Sequence, residues 1–348
     1  MDEALQRQFR GKTVSPQQHN SVREGMAKSR RMDPSALAGI EAEFEACHQI
    51  SHARRIAEVA PFIMLYLAGA WLADTADGRW WVLAMGILVM GVAMNTLGIL
   101  IHDGLHGLLA RDVWANRFWS FLCGLPLLVS ASAYRKTHTD HHFEFGRKAD
   151  FGTYRQHLGR PVLVWFAYLL QLMLGSVLYI LLIPVLGMLG ASWRTRALIV
   201  FELTLIAAWV LWLVQTFPAQ VWLTYWIAPS LVMMALTNVR GLASHALGDI
   251  EDIYLSSRTI RSNALVRFLF LHENYHLEHH LFPQVPSYHL ERAHRLVWGR
   301  LPRALYAPSY HDFLLGFFRR LRGLSLAPLG VLRPCGQPDE VKMNATLS

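Results

Sequence analysis

The chain has 348 residues, of which 53% are hydrophobic and only 17% charged, with a formal net charge of +8. The apolar residues are concentrated in long uncharged runs, which excludes a pair of ordinary soluble domains and marks a membrane protein. The basic excess then reads as membrane orientation, with Lys and Arg in cytoplasmic loops, and not as a nucleic-acid surface.

Residues 1–35 are polar and read as a largely disordered tail placed to lie on anionic lipid. They hold no apolar core segment of a signal peptide, so targeting is expected from the first spanning helix. Residues 36–58 read as a juxtamembrane helix, with His48 and His52 at i and i+4 as a surface pair. The runs 59–76 and 80–101 each approach the roughly 20 residues that a helix needs to cross the hydrocarbon. The short turn Asp74-Thr-Ala-Asp-Gly-Arg joins them into a hairpin. A polar, basic loop follows over 102–161. Its apolar piece, 118–133, contains Gly124 and Pro126 and predicts a re-entrant or interfacial element.

Three further apolar runs cover 162–189, 196–217 and 219–237, the last two broken at Pro218. Beyond them lies a region of soluble character whose segment from Phe313, Phe-Leu-Leu-Gly-Phe-Phe-Arg-Arg-Leu-Arg, predicts a basic amphipathic helix lying against headgroups. Three units result: a tail and juxtamembrane helix over 1–58, a membrane unit over 59–300 and an amphipathic basic tail over 301–348. Cys47, Cys123 and Cys335 are far apart with no C-x-x-C pair, so neither a disulfide framework nor an iron–sulfur cluster is expected.

The chemistry concentrates in three histidine clusters. His102 and His106 stand at i and i+4. His138, His141 and His142 form His-x-x-His-His, and His276, His279 and His280 repeat it. On a helix these offsets share one face, so each cluster presents its imidazoles together. Imidazole suits iron, zinc and copper. One tetrahedral zinc takes four ligands at most, so eight imidazoles suffice for two metals. His245, just past the last apolar run, is a ninth candidate. Asp103, Asp140 and Glu278 each neighbour a histidine. Such acids either accept a ligand's far N–H and fix its ring, or cap helices and face solvent. Asn274 and His272, beside the third cluster, are further candidates to orient ligands. His157, His289, His294 and His311 stand alone and read as surface or structural residues. Trp212, Trp222 and Trp226 read as packing or lipid contacts.

All clusters must reach one site, so they share one membrane face. The chain therefore crosses an even number of times between the second and third clusters. The Pro218 hairpin supplies two crossings and leaves 162–189 as a non-crossing element. The expected architecture is all-α: four spanning helices in two hairpins (59–76, 80–101, 196–217, 219–237), with a cytosolic helical cap holding the histidines.

The three boxes, with Arg135-Lys-Thr-His-Thr-Asp-His-His and Asn274-Tyr-His-Leu-Glu-His-His-Leu-Phe-Pro around them, resemble the integral-membrane fatty acid desaturase and hydroxylase family over roughly 60–300. The resemblance implies two non-haem Fe ions that activate O2 with electrons from a partner and attack an unactivated C–H of a long acyl chain. A desaturase leaves a double bond; a hydroxylase returns oxygen. His245 matches the family's additional histidine by position. Some members place an Asn four residues before it, where this chain has Gly241; the nearest Asn is Asn238. The third box begins with His276, not Gln, unlike a front-end desaturase. No His-Pro-Gly-Gly haem motif occurs, so a separate ferredoxin, rubredoxin or cytochrome is implied, with Arg135, Lys136, Arg147 and Lys148 as docking candidates.

The function expected is an O2-dependent fatty-acyl desaturase in a bacterial inner membrane, its site cytoplasmic, acting on a lipid-linked or thioester-linked chain. The alternative is a hydroxylase or ketolase of an acyl chain, sterol or carotenoid. A metal transport protein would line its spans with polar groups, and the apolar runs carry few beyond Asn95 and Glu202.

Overall fold

The computed structural model describes residues 37–143, 145, 150 and 155–332; the polar tail, Arg147, Lys148 and Cys335 lie outside the described residues. Helix α1 (Glu41–Glu45) runs into a short 3-10 turn and stops at Gln49, whose backbone is extended. Ser51 then caps α2 (His52–Asp74), its Oγ accepting from the Arg54 backbone N–H at 3.3 Å. The single helix expected over 36–58 is therefore broken between His48 and His52, and the His48 ring bonds the Phe44 carbonyl instead.

A turn through Asp77 (φ 47) and Gly78 (φ 76) reverses the chain into α3 (Trp80–Leu105). The two helices cross at Gly69 and Gly86, where a Cβ on Gly86 would stand 2.6 Å from the Gly69 carbonyl oxygen. Only glycine permits that approach. Helix α3 continues past the apolar run to Leu105 and so carries His102 on its last turn, with His106 capping it. Helix α4 (Val113–Gly124) is amphipathic. Trp114, Phe118, Trp119 and Leu122 face outward, while Asn116 accepts from the Leu109 N–H and donates to the Gly104 carbonyl.

Helix α5 (Ala131–Phe143) carries the second histidine box. After a short α6 (Arg155–Leu158) come α7 (Pro161–Met188), α8 (Trp193–Thr216) and α9 (Ala219–His245). Helix α9 holds a π turn over Leu223–Ile227. Pro229 follows it; having no N–H, it cannot bond the Tyr225 carbonyl, which the Tyr66 hydroxyl takes instead. Five helices, α2, α3, α7, α8 and α9, are long and apolar enough to cross a membrane. The sequence argument used four of them and laid the α7 segment in the interface.

Beyond α9 the chain builds a cap from α10 (Ala264–Leu269), α11 (His276–Leu281), α12 (Ser287–Val297) and α13 (Tyr310–Arg322). The all-α expectation needs one correction here, because a small sheet joins the cap. Strands β1 (Arg258–Ile260), β2 (Ala304–Ala307) and β3 (Val331–Leu332) lie in that order. Arg258 pairs with Leu305 in parallel, and Ala304 with Leu332 antiparallel. Strands of two to four residues carry too few alternations to show in a sequence pattern. The predicted amphipathic tail is α13, whose apolar residues divide between a buried face and exposed Leu315 and Phe318. Phe313 and Phe317 are buried against Trp165, Tyr168 and Leu242, covering α7 and α9.

Candidate metal centre

Nine imidazoles converge where α3, α5, α9 and α11 end or begin, and they form two groups. His102, His106, His138, His142 and His279 place their ring nitrogens within 4.8 Å of one another. His141, His245 and His280 do the same, and His276 joins them with its Nε2 3.0 Å from that of His245. Each His-x-x-His-His box thus divides. In α5, His138 and His142 enter the five-histidine group and His141 the other. In α11, His276 and His280 enter the four-histidine group and His279 the other. The helix explains this: residues i and i+4 are offset by about 40° around the axis, whereas i+3 and i+4 diverge by about 100°. The expectation that all three point the same way holds only for the pair.

The nitrogens stand at ligand spacing. His106 and His138 Nε2 are 2.9 Å apart, His138 and His142 3.0 Å, His142 and His279 3.2 Å, and His141 and His245 3.3 Å. Imidazoles on one metal at ~2.1 Å stand roughly 3.0–3.4 Å apart for right-angled to tetrahedral geometry. Hydrogen bonds among the rings cannot account for all of these approaches. A ring Nε2 either donates one proton or accepts one, yet those of His138, His142 and His245 each meet two others. The Nε2 of His280 is buried with no hydrogen-bond partner. The donor set fits cations at the two foci.

The rings are also in the ligating protonation state. Burial first, then the neighbouring imidazoles, hold His106, His138, His142, His279 and His280 well below the usual histidine range. Burial brings His276 to about 4 against the pull of Glu273. Neutral imidazole is the form that binds metal.

Two acids contact ligand rings, and the sequence argument named neither. Glu273, fully buried, places Oε1 3.3 Å from His102 Nδ1 and Oε2 3.5 Å from His276 Nδ1, one ring of each group. Burial alone would raise its carboxyl, but the neighbouring imidazoles, His102 foremost, hold it well below the carboxylate range. Arg240 Nη1 lies 3.5 Å from Oε2 and balances its charge. Asp150 accepts from His141 Nδ1 at 3.0 Å.

Of the five residues expected to orient ligands, Asp103 brings a carboxylate oxygen within 4.8 Å of a His102 ring nitrogen and of Glu273, and each of the five also has contacts away from the rings. Asp103 pairs with Arg55 and accepts from Ser287 Oγ at 2.7 Å, tying α3 to α2 and α12. Glu278 accepts from Thr259 Oγ1 and His294 Nδ1, both at 2.6 Å, tying α11 to β1 and α12. Asp140 pairs with Lys136. Asn274 donates to the Ile260 carbonyl at 2.9 Å. His272, at φ 62, sits 3.4 Å from Glu291. The physical reason is angular. Asp103, Asp140 and Glu278 each adjoin a histidine of the cluster on a helix and so stand about 100° round the axis from it, whereas Glu273 lies in the turn ahead of α11 and reaches both rings from there.

Other candidates are placed as follows. Arg135 donates to the Leu105 and Gly104 carbonyls at 2.9 and 2.7 Å, satisfying the end of α3. Burial lowers its pKa to about 10. Arg135 is therefore engaged within the fold, while Lys136 pairs with Asp140 one turn on and stays partly exposed. Asn238 accepts from Ser176 N and Oγ, both at 2.7 Å, and so faces α7. His157 bonds the Asp150 carbonyl, and His311 is exposed beside Asp312. Trp226 donates to the Pro126 carbonyl and packs on Trp209, as a packing residue does.

Fold and site together define a helical integral-membrane protein with a buried, nitrogen-rich cluster able to hold metal. The family model described as Fatty acid desaturase matches residues 78–313, more than half of the chain. The chain belongs to that family, whose members generally use non-haem di-iron, and it is an oxidoreductase. Similar proteins include the Sphingolipid delta(4)-desaturase/C4-monooxygenase DES2 of Bos taurus, 26% identical over 272 residues, which span 74% of this chain and 75% of that protein. The proteins of the same name from Homo sapiens and Mus musculus are 25% and 23% identical, again over 74% of this chain and 75% of theirs.

Proposed function

We propose that the chain is an O2-dependent membrane desaturase that introduces a double bond into a long acyl chain. The observation that carries this is the division of nine imidazoles into two adjoining groups at the ends of apolar helices. His102, His106, His138, His142 and His279 hold one iron; His141, His245, His276 and His280 hold the other. Bound there, the two irons supply the O2 activation that an unactivated C–H requires. Glu273 and Asp150 fix the tautomers and ring planes of His102, His276 and His141. The electrons come from a separate donor of the ferredoxin, rubredoxin or cytochrome type.

The topology proposed is four spans with α7 not crossing. Three helices long enough to span separate His141 from His245, yet those rings touch, so an even number of the three cross. Both ends of α7 meet elements that carry or back the centre: Trp165 packs on Phe317 of α13, and Gly187 lies against Ala133 of α5. A basic loop face and both termini in the cytoplasm of a bacterial inner membrane complete the proposal.

A second reading, oxygen insertion, is favoured by the relatives' names, which join a desaturase to a C4-monooxygenase and specify a sphingolipid. Lipid mass spectrometry of expressing cells, with His279→Ala as control, separates the two. Loss of two hydrogens from one chain, absent in the control, is the expected result. Gain of one oxygen would establish the second reading. If neither change accompanies full iron loading and a reduced donor, the proposal fails.

A further inference from the structure

Outside the histidine centre, a cavity of about 510 Å³ opens between the start of α2, the loop before α4, and α12. Its lining includes Arg54, Arg111 and Arg292, with His52, His289 and Ser51, and no carboxylate. Arg54 donates one N–H to the Tyr288 carbonyl at 3.2 Å, and Arg111 one to the Ile50 carbonyl at 3.0 Å. Each guanidinium has five N–H donors, so both are fixed in place with donors to spare. Among the described residues none of the three arginines has a carboxylate partner. His289 is buried, 8% exposed, and its ring nitrogens make no hydrogen bond among the described residues. Burial, with Arg54 and Arg292 adding to it, pushes that ring down to about 4, which leaves it neutral with one N–H to give.

Three cations and the imidazole of His289 around a carboxylate-free cavity suit an oxyanion with several acceptor oxygens. The surroundings specify its carrier. Ile56, Ile63, Met64 and Leu67 form an exposed apolar stripe on α2, running away from the cavity, and Trp114 and Phe118 expose another on α4 just after Arg111. A ligand filling both environments has an anionic head and long apolar chains. A zwitterionic choline headgroup would bring an ammonium that finds no acid in the lining.

We propose that this cavity binds the phosphate of an anionic glycerophospholipid, with its acyl chains along the exposed faces of α2 and α4. The site involves no metal ligand, so it stands apart from the proposed catalysis. The test is native mass spectrometry of the purified full chain in detergent, titrated with phosphatidylglycerol, phosphatidylcholine or inorganic phosphate. One phosphatidylglycerol per chain is expected, bound roughly ten- to thirtyfold more weakly by R111Q/R292Q and weakened by salt. The single variant Arg292→Gln, exposed on α12, repeats the loss in smaller measure without risk to the fold. Iron content and melting temperature stay unchanged in both. R319Q/R322Q, which removes the same charge from α13, keeps full binding. Equal binding by wild type and R111Q/R292Q, or an equal loss in R319Q/R322Q, would overturn the proposal. Inorganic phosphate matching phosphatidylglycerol would make this a free-anion site and overturn the lipid assignment.

Discussion

The two halves of the histidine centre use the same residue type and are held by different means. In the four-histidine half, two rings have the nitrogen facing away from the focus hydrogen-bonded to an acceptor, and a third has it 3.5 Å from a carboxylate. His141 bonds Asp150, His245 Nδ1 donates to the Ser256 carbonyl at 3.2 Å, and His276 lies against Glu273. In the five-histidine half, among the described residues, only His102 has such an acceptor, again Glu273. His279 Nδ1 is buried with no partner. These rings orient one another instead, edge to face, with centroids 4.5 Å apart for His102 and His138 and 4.8 Å for His106 and His142. The difference follows from origin. The five-histidine half is built mainly on the interlocked helices α3 and α5, whose registers aim the rings. The other half gathers one ring each from the ends of α9 and α5 and two from the short α11, so contacts with acceptors must aim them.

Removing a ligand breaks the comparison most severely. His142→Ala or His279→Ala in one half, and His245→Ala or His280→Ala in the other, should each abolish turnover and lower iron from about two per chain to about one or fewer. Iron analysis of purified protein checks this, and an active His279→Ala enzyme would refute the two-metal assignment. Glu273→Gln comes next. One carboxylate serves a ring of each half, so iron affinity should fall about 10- to 100-fold at both foci together. Asp150→Asn should weaken only the four-histidine half, by about tenfold, so that a chelator-competed iron titration separates into two steps. Two steps for Glu273→Gln, or one for Asp150→Asn, would show that the halves are not held as the geometry implies.

The clustering of these histidines was legible in the sequence because their offsets follow the helix period, and apolar flanks marked where the helices lie. How each box divides was not legible, since that depends on where the partner helices stand. Glu273 lies in the turn ahead of α11, so no helical spacing ties it to His276 and the sequence pattern does not mark it. Asp140 and Glu278, adjacent to cluster histidines in sequence, hydrogen-bond away from the rings, whereas Asp103 stays close to His102. Asp150 lay outside any periodic signal. The hairpin of α2 and α3 was visible in its uncharged runs, whereas the three-stranded sheet and the burial of Phe313 and Phe317 depend on contacts distant in sequence. An amphipathic helix announces that one face is covered, not whether lipid or protein covers it.

Glu202 provides the mildest test, because it supports both halves without touching either. It sits in an apolar run, buried, and accepts from Ser130 Oγ at 2.6 Å, from the Ser132 backbone N–H at 2.9 Å and from Ser132 Oγ at 2.6 Å. Those donors cluster at the start of α5, so the carboxylate acts as a cap supplied by another helix and favours the positive end of the α5 dipole. Helix α5 carries His138 and His142 of one half and His141 of the other, and its displacement would loosen both equally. Glu202→Ala should therefore cost about 1–2 kcal/mol, the size of a lost cap, and lower the melting temperature by a few degrees. At saturating iron both foci should still fill. Glu202→Gln keeps one acceptor oxygen and should fall between the variant and wild type. A selective loss of iron from one half in Glu202→Ala would mean that α5 does not move as a rigid unit beneath the two groups.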